Sequence, residues 1–138
     1  MQFAKLSEEL FQWNDHPQSL SRTHPNSSVD AFYRTKVYWP ARWLRREVRG
    51  RPLIVAGTSA LCMERASLLE AEGIPVHGFT DVERRQVKGY TFVPHLELSP
   101  AGDVFIVSFI SQRGTGNRIA GFMVSRGLVE GVDFILAA

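Results

Sequence analysis

The chain has 138 residues, of which 44% are hydrophobic and 22% charged, and these values predict one ordinary globular domain with its own core. The formal charge of +2 is too small to argue for a nucleic-acid partner, although the pI is near 9.0. No apolar run reaches the ~18 residues that span a bilayer, the N-terminus has no signal-peptide pattern, and the single cysteine cannot form an internal disulfide. We therefore expect a cytoplasmic protein without a membrane span.

The N-terminal part of the chain divides into two segments. Residues 1–28 are polar and interrupted by prolines, without sustained periodicity, and predict an extended or looped arm. Residues 29–50 predict a helical segment packed beside the domain that follows. Pro40 lacks an N–H and clashes with the preceding turn of a helix, so we expect a break or kink near Trp39 and a second helical piece that ends at Gly50.

Residues 51–138 alternate between strand and helix patterns. In chain order, the predicted elements are a buried strand "LIVAG", a helix over residues 60–72 closed by Gly73, a strand "IPVHGF", a short strand Tyr90–Val93, a buried strand "DVFIVSFI", a helix "RIAGFMVSRG" ended by Gly127 and a final strand "VDFILA". This order predicts an α/β, Rossmann-like domain with a mostly parallel sheet and helices on both faces. Right-handed crossovers would place the loops after Val55 and Ile110 at the same edge of the sheet.

The first strand-to-helix turn, from Gly57 to Ala60, is a candidate phosphate site. Ser59 and Ala60 stand near the position where a dinucleotide fingerprint has the glycine that admits pyrophosphate. The helix N-terminus still offers free N–H groups to a phosphate, and the hydroxyls of Thr58 and Ser59 could add donors. The alternative is that Gly57 only makes the turn and that Thr58 or Ser59 only caps the helix.

Two further candidates lie on loops that the fold would bring to the same edge. Asp81 ends the second strand, roughly where nucleotide-binding folds keep the acid that binds ribose hydroxyls, although it could equally cap the following turn. In the glycine-rich loop, Gly114 permits close backbone approach, and Arg113 and Arg118 could each bind a phosphate or carboxylate. The alternative for this loop is a flexible turn with an exposed arginine.

The remaining chemistry-bearing residues predict no site. Cys62 lies in the first turn of a helix, where a thiolate would be favoured, but such a cysteine is more often a small buried apolar residue. His16, His24, His77 and His95 have no metal-like spacing, so we expect no zinc site. There is also no nucleophile elbow and no G-x-x-x-x-G-K phosphate loop.

The segment "WNDHPQSLSR" resembles the motif that closes the catalytic domain of bacterial family 2 glycosyltransferases. The matching positions are Trp13, His16, Ser19, Ser21 and Arg22, followed by Phe32 and Lys36, whereas Asn14 stands where that family has arginine. "RGLVEGVDF", residues 126–134, resembles the small Rossmann-like domain that often follows. The "GFTD…KGYTFV" part is also similar to the nucleotide-sugar-binding N-terminal domain of bacterial sugar acetyltransferases.

The resemblance implies a role in polysaccharide or glycan synthesis, but not catalysis by this chain alone. The sequence lacks the family's transferase domain and its Asp-x-Asp metal site. The resemblance therefore implies an accessory role, with a UDP-sugar or other nucleotide as ligand and with a separate glycosyltransferase subunit as partner.

Three hypotheses follow from the sequence. The first is a non-catalytic module in which the backbone of residues 58–60 binds phosphate, Asp81 binds a ribose hydroxyl and Arg118 binds a second anion. The second is an interaction module with an empty crevice, whose exposed face of Trp39 and Trp43 docks on a transferase or on itself. The third is an NAD-binding, oxidoreductase-like protein, which the altered glycine fingerprint disfavours.

Overall fold

The computed structural model describes residues 18, 29–98, 103–110, 112 and 114–137. The chain divides into two compact units, Met1–Phe32 and Tyr33–Ala138. Apart from residue 18, the predicted arm of residues 1–28 lies outside the described residues, and so does Arg113. The elements below are numbered among the described residues only.

The described elements, in chain order, are α1 (Val29–Glu47), β1 (Leu53–Ala56), α2 (Ala60–Ala71), β2 (Val76–Thr80), β3 (Thr91–Phe92), a 3-10 turn (His95–Glu97), β4 (Phe105–Ser108), α3 (Thr115–Ser125) and β5 (Phe134–Leu136). The strands and helices that the sequence predicts beyond residue 51 are therefore confirmed, with ends that differ by a few residues. The largest difference is in α3, which begins at Thr115 instead of Arg118. Gly73 follows α2 with a φ of +77°, the left-handed geometry that ends many helices.

The described strands form one five-stranded sheet with the order β3-β2-β1-β4-β5. Every neighbouring pair is parallel. The predicted α/β, Rossmann-like fold is confirmed, and the sheet is parallel throughout this part of the chain. The chain moves outward in one direction from β1 to β3 and then returns to add β4 on the other side of β1. The sheet therefore has a topological switch point between β1 and β4, where open α/β folds place their ligands.

Alternate side chains of a strand point to opposite faces of the sheet, and helices cover both faces. Leu53 and Val55 of β1 share one core with residues of α1 and α2. Ile54 and Ala56 share a second core with Met123 of α3. The sheet and its switch point thus lie between two packed layers of helices. Helix α3 covers the face that carries Ile54 and Ala56.

The predicted break near Trp39 is wrong, because α1 is a single helix that contains Pro40, whereas the alternative of a kink there stays a prediction. Val37, Ala41 and Leu44, at helical spacing on both sides of Pro40, are buried in the core against the sheet. Burial of this stripe offsets the hydrogen bond that proline cannot make, since packing of an apolar face supplies most of the stability of a helix in a protein. The helix also stops at Glu47 and does not extend to the predicted end at Gly50.

The prediction that Trp39 and Trp43 form one exposed face is also wrong. Trp39 is 63% exposed, whereas Trp43 is half-buried and its ring packs edge-on against Phe105, with centroids 5.7 Å apart. Arg42 lies over the ring of Trp39, 5.9 Å from its centroid. The sequence could not separate the two tryptophans, because the difference depends on where β4 passes beneath α1.

Candidate functional site

A crevice of about 380 Å³ opens at the carboxyl edge of the sheet, between the strand ends and α3. Its lining consists of Ala56, Gly57, Thr80, Asp81, Val82, His95, Ile110, Gln112, Thr115, Arg118, Ile119, Phe122 and Met123. The volume lies within the range of about 300–1,000 Å³ that is usual for small-molecule sites. The crevice joins the end of β1 to the end of β4, so the predicted meeting of these two loops at one edge is confirmed.

The floor of the crevice follows from the register of the sheet. Ala56 is in register with Thr80 on one side and with Ser108 on the other. Residues in register on neighbouring strands present their side chains to the same face, which here is the face covered by α3. Because the central residue of this row carries only a methyl group, space remains between the strand ends and the helix above them.

The turn after β1 is held by its own side chains. Gly57 has a φ of +103°, and a Cβ built on it would lie 2.7 Å from the sulfur of Cys62. Ser59 caps α2 by accepting a hydrogen bond from the N–H of Cys62 at 3.3 Å. Gly57 thus makes the turn and Ser59 caps the helix, and Cys62 is buried in the core as a small apolar residue.

Asp81 is bonded to the same turn. Its Oδ2 accepts hydrogen bonds from the backbone N–H of Thr58 at 2.8 Å and from the Thr58 hydroxyl at 2.6 Å. Its Oδ1 accepts from the N–H of Val82 at 2.7 Å. Partial burial raises the pKa of Asp81, but the hydrogen bonds from Thr58, Val82 and Glu83 together outweigh it, so the pKa is lowered from 3.8. The carboxylate is therefore ionised at neutral pH and lies against the amide end of α2.

These contacts bear on the predicted phosphate role of residues 58–60, which stays a prediction. Thr58 donates both its N–H and its hydroxyl to Asp81, so it would have to exchange these bonds for bonds to a phosphate. Within the described part of the chain, the N–H groups of Ala60 and Leu61 have no acceptor, as expected for the first turn of a helix. Of the residues predicted for this turn, only Gly57 lines the crevice.

The start of α3 supplies the positive side of the crevice. Gly114 is the N-cap residue, with a φ of +79° and no side-chain capping bond, and it does not itself line the crevice. Arg118, one turn into the helix, is exposed and lines it. Among the described residues, no carboxylate lies within ion-pair distance of Arg118. The structure thus brings Gly57, Asp81 and Arg118 to one crevice, whereas Gly114 and residues 58–60 do not line it. The nucleotide-binding role of these residues stays a prediction.

Thr80 and His95 also line the crevice, and the sequence analysis did not assign either of them to a site. A signal for Thr80 was present, because it is a hydroxyl residue at the end of a strand, next to Asp81. His95 carried no such signal, since it follows the short strand β3 without any motif. Its place in the crevice depends on the path of the chain after β3.

Two other features of the described residues do not form comparable sites. A more open depression of about 600 Å³ is lined by His77 and residues 86–91, along the edge strand, and the ends of β1 and β4 do not contribute to it. In the described ranges, no group of three histidine, cysteine, aspartate or glutamate side chains is placed to hold a metal ion. The helices within these ranges are also too short or too polar to cross a membrane.

Comparison with known proteins gives no relative for this chain. A scan of protein-family models found no match, and searches of curated proteins and of solved structures found none either. The resemblance to glycosyltransferases therefore stays a prediction, and the geometry of the crevice is what bears on function.

Proposed function

We propose that this chain is a binding module for a nucleotide or nucleotide-sugar, which it holds in the crevice at the switch point of the sheet. The observation that carries the proposal is the lining of this crevice, where Arg118 faces the ends of β1 and β2 across a space of about 380 Å³. Ligands of open α/β sheets bind at this place because two neighbouring loops leave the sheet there on opposite faces.

The polarity of the lining supports a ligand that is anionic at one end and has a flat apolar part. Arg118 is a cation without a carboxylate partner among the described residues, and a guanidinium favours phosphate. Ile119 and Phe122, on the same helix, give the crevice an apolar wall against which a base can lie. We therefore place the phosphate at Arg118 and the first turn of α3, and not at Thr58, whose donors are already bonded to Asp81.

The role that we propose is non-catalytic and accessory to glycan synthesis. The resemblance of the sequence to glycosyltransferase tails and sugar acetyltransferase domains makes UDP-sugars the first ligands to test. The cytoplasmic location expected from the sequence is part of this proposal.

The test is thermal unfolding of the full chain with UDP, UDP-sugars, GDP-sugars and NAD. A ligand at about 100 times its dissociation constant stabilises the folded state by roughly 2.7 kcal/mol, which is a clear shift in the melting temperature. A shift with a UDP- or GDP-linked compound supports the proposal. A shift with NAD alone, or with none of the four, would overturn it in favour of the oxidoreductase-like or the interaction hypothesis.

Arg118→Gln provides the matched test of where the ligand binds. Loss of a charged hydrogen bond to phosphate should weaken binding by about 1.5–3 kcal/mol, which is at least tenfold in the dissociation constant. Arg46→Gln is the control, because Arg46 is also exposed and does not line the crevice. Equal affinities for the two variants would place the ligand elsewhere.

A further inference from the structure

The buried hydroxyl of Thr80 has no hydrogen-bond partner within the described part of the chain. The residue is only 2% exposed, and it lines the crevice from the end of β2. A buried polar group without a partner costs free energy, and native proteins keep few of them. Because Thr80 lines the crevice, a ligand bound there could supply the missing partner.

His95, which is half-buried, offers a second polar group to the same crevice. Its Nδ1 lies 3.1 Å from the backbone carbonyl oxygen of Asp81. A carbonyl oxygen can only accept, so Nδ1 carries the proton, and when the ring carries this single proton its Nε2 is an acceptor. The ring also packs against Phe122, with centroids 5.5 Å apart, and this contact together with the Nδ1 bond fixes its orientation.

Asp81 is a poor candidate for the ribose contact that its position in the sequence suggests. Its carboxylate already accepts from the N–H and the hydroxyl of Thr58 and from the N–H of Val82. Its backbone carbonyl is taken by His95. Asp81 thus orients both the turn and the imidazole, and the groups left for a ligand are on its neighbours.

We infer that Thr80 and His95 bind a hydroxyl-bearing ring of the ligand, with Asp81 as a positioning residue. This inference rests on the proposed function and names the part of the ligand that this end of the crevice recognises. The Thr80 hydroxyl can donate and accept, whereas Nε2 of His95 only accepts, so a ligand hydroxyl satisfies both groups. A phosphate at this end would be repelled by the lone pair of Nε2 and by the Asp81 carboxylate. The phosphate therefore belongs at the Arg118 end of the crevice. The hydroxyls can belong to a ribose or to a linked hexose.

Thr80→Val tests the inference, because it replaces the hydroxyl by a methyl group of similar size. If the hydroxyl serves only the ligand, the melting temperature of the free protein should rise or stay unchanged, since no internal bond is lost. Affinity for a UDP-sugar should fall at least tenfold. Thr80→Ser is the control, since it keeps the hydroxyl and should retain the affinity of the wild type.

His95→Asn is the matched change on the other side. The asparagine amide can replace the Nδ1–H bond to the Asp81 carbonyl, but it has no acceptor at the position of Nε2. We expect a loss of affinity similar to that of Thr80→Val, with the melting temperature of the free protein little changed.

Deoxy ligands identify which hydroxyls are bound. Wild type should bind 2′,3′-dideoxy-UDP at least tenfold more weakly than UDP if the ribose is recognised, and Thr80→Val should show no such difference. The same comparison between a UDP-hexose and its deoxy-hexose form tests whether the hydroxyls of a linked hexose are the ones bound. If wild type binds UDP-sugars but both variants bind them equally well, the inference is wrong and the proposed function stands. If wild type binds neither these compounds nor GDP-sugars, the proposed function fails and takes the inference with it.

Discussion

The turn after β1 and the crevice beside it lie at the same edge of the sheet, but their polar groups differ in how they are bonded. In the turn, Thr58, Ser59 and Asp81 bond to one another or to the amide end of α2. In the crevice, the side chains of Thr80 and Arg118 have no hydrogen-bond or ion-pair partner from the described residues. A polar group whose bonds are complete contributes to stability, whereas one without partners is available to a ligand.

The same difference distinguishes the Gly57 and Asp81 pair of this chain from the glycine-and-acid pair of a dinucleotide-binding fold. A dinucleotide fold keeps the backbone of its first turn open to pyrophosphate and its acid open to ribose. Here the carboxylate of Asp81 bonds to Thr58 in the first turn, close to the N-terminus of α2, where negative charge is favourable. If the turn is structural and the crevice is the binding site, substitutions in the two regions should affect different measurements.

The largest effect is expected at Gly57. Gly57→Ala forces a side chain into a φ of +103° and against the sulfur of Cys62 and the side chain of Ile110. Strain and overpacking together should reduce the free energy of unfolding by about 2–5 kcal/mol, measured by urea denaturation. Gly73→Ala is the control, since it has a φ of +77° but no atom within 4 Å of the new Cβ, and it should cost only about 1 kcal/mol. Similar losses for the two variants would show that the contacts around Gly57 contribute little.

A smaller effect, with a defined pH dependence, is expected for Asp81→Asn. Loss of the charged acceptor for Thr58 should reduce the free energy of unfolding at pH 7 by about 1–3 kcal/mol. Because the pKa of Asp81 is lowered in the folded protein, its stabilisation is complete above the ordinary value of 3.8 and is lost as the pH falls through the lowered value. The difference between wild type and variant should therefore shrink in acid.

The control for this pH profile is Asp103→Asn, at an exposed aspartate for which the described residues show no hydrogen bond or ion pair. Its free energy of unfolding should stay within about 0.5 kcal/mol of the wild type. A difference for Asp81→Asn that is constant from neutral pH to strong acid would contradict a stabilising role of the ionised carboxylate.

The smallest effect is expected for Ser59→Ala, which removes the cap of α2. The loss should be about 1 kcal/mol in the free energy of unfolding, with UDP-sugar affinity unchanged, because Ser59 does not line the crevice. Ser67→Ala is the matched control within the same helix, where the hydroxyl bonds to the carbonyl of Met63 and alanine is the better helix former. A fall in ligand affinity for Ser59→Ala would restore the turn as part of the binding site.

The sequence by itself determined the elements and their arrangement. Short apolar runs predicted buried strands, helical spacing predicted α2 and α3, and the alternation of the two predicted parallel strands with helices on both faces. These signals are local, and right-handed crossovers limit the topologies that a given order of elements can adopt. The same rules brought Gly57, Asp81 and Arg118 to one crevice.

Only the tertiary structure decided which of these groups are already bonded. Asp81 could serve a ribose or a turn; its contacts with Thr58, distant in sequence, show that it bonds to the turn, and its ribose role stays a prediction. Pro40 stays helical and Trp43 is half-buried because of what packs beneath α1. Thr80 and His95 meet at the crevice because β2 and the chain after β3 lead to the same edge. A hydrogen bond depends on distances between atoms that no local pattern encodes, so the bonding of the site could be read only from the folded chain.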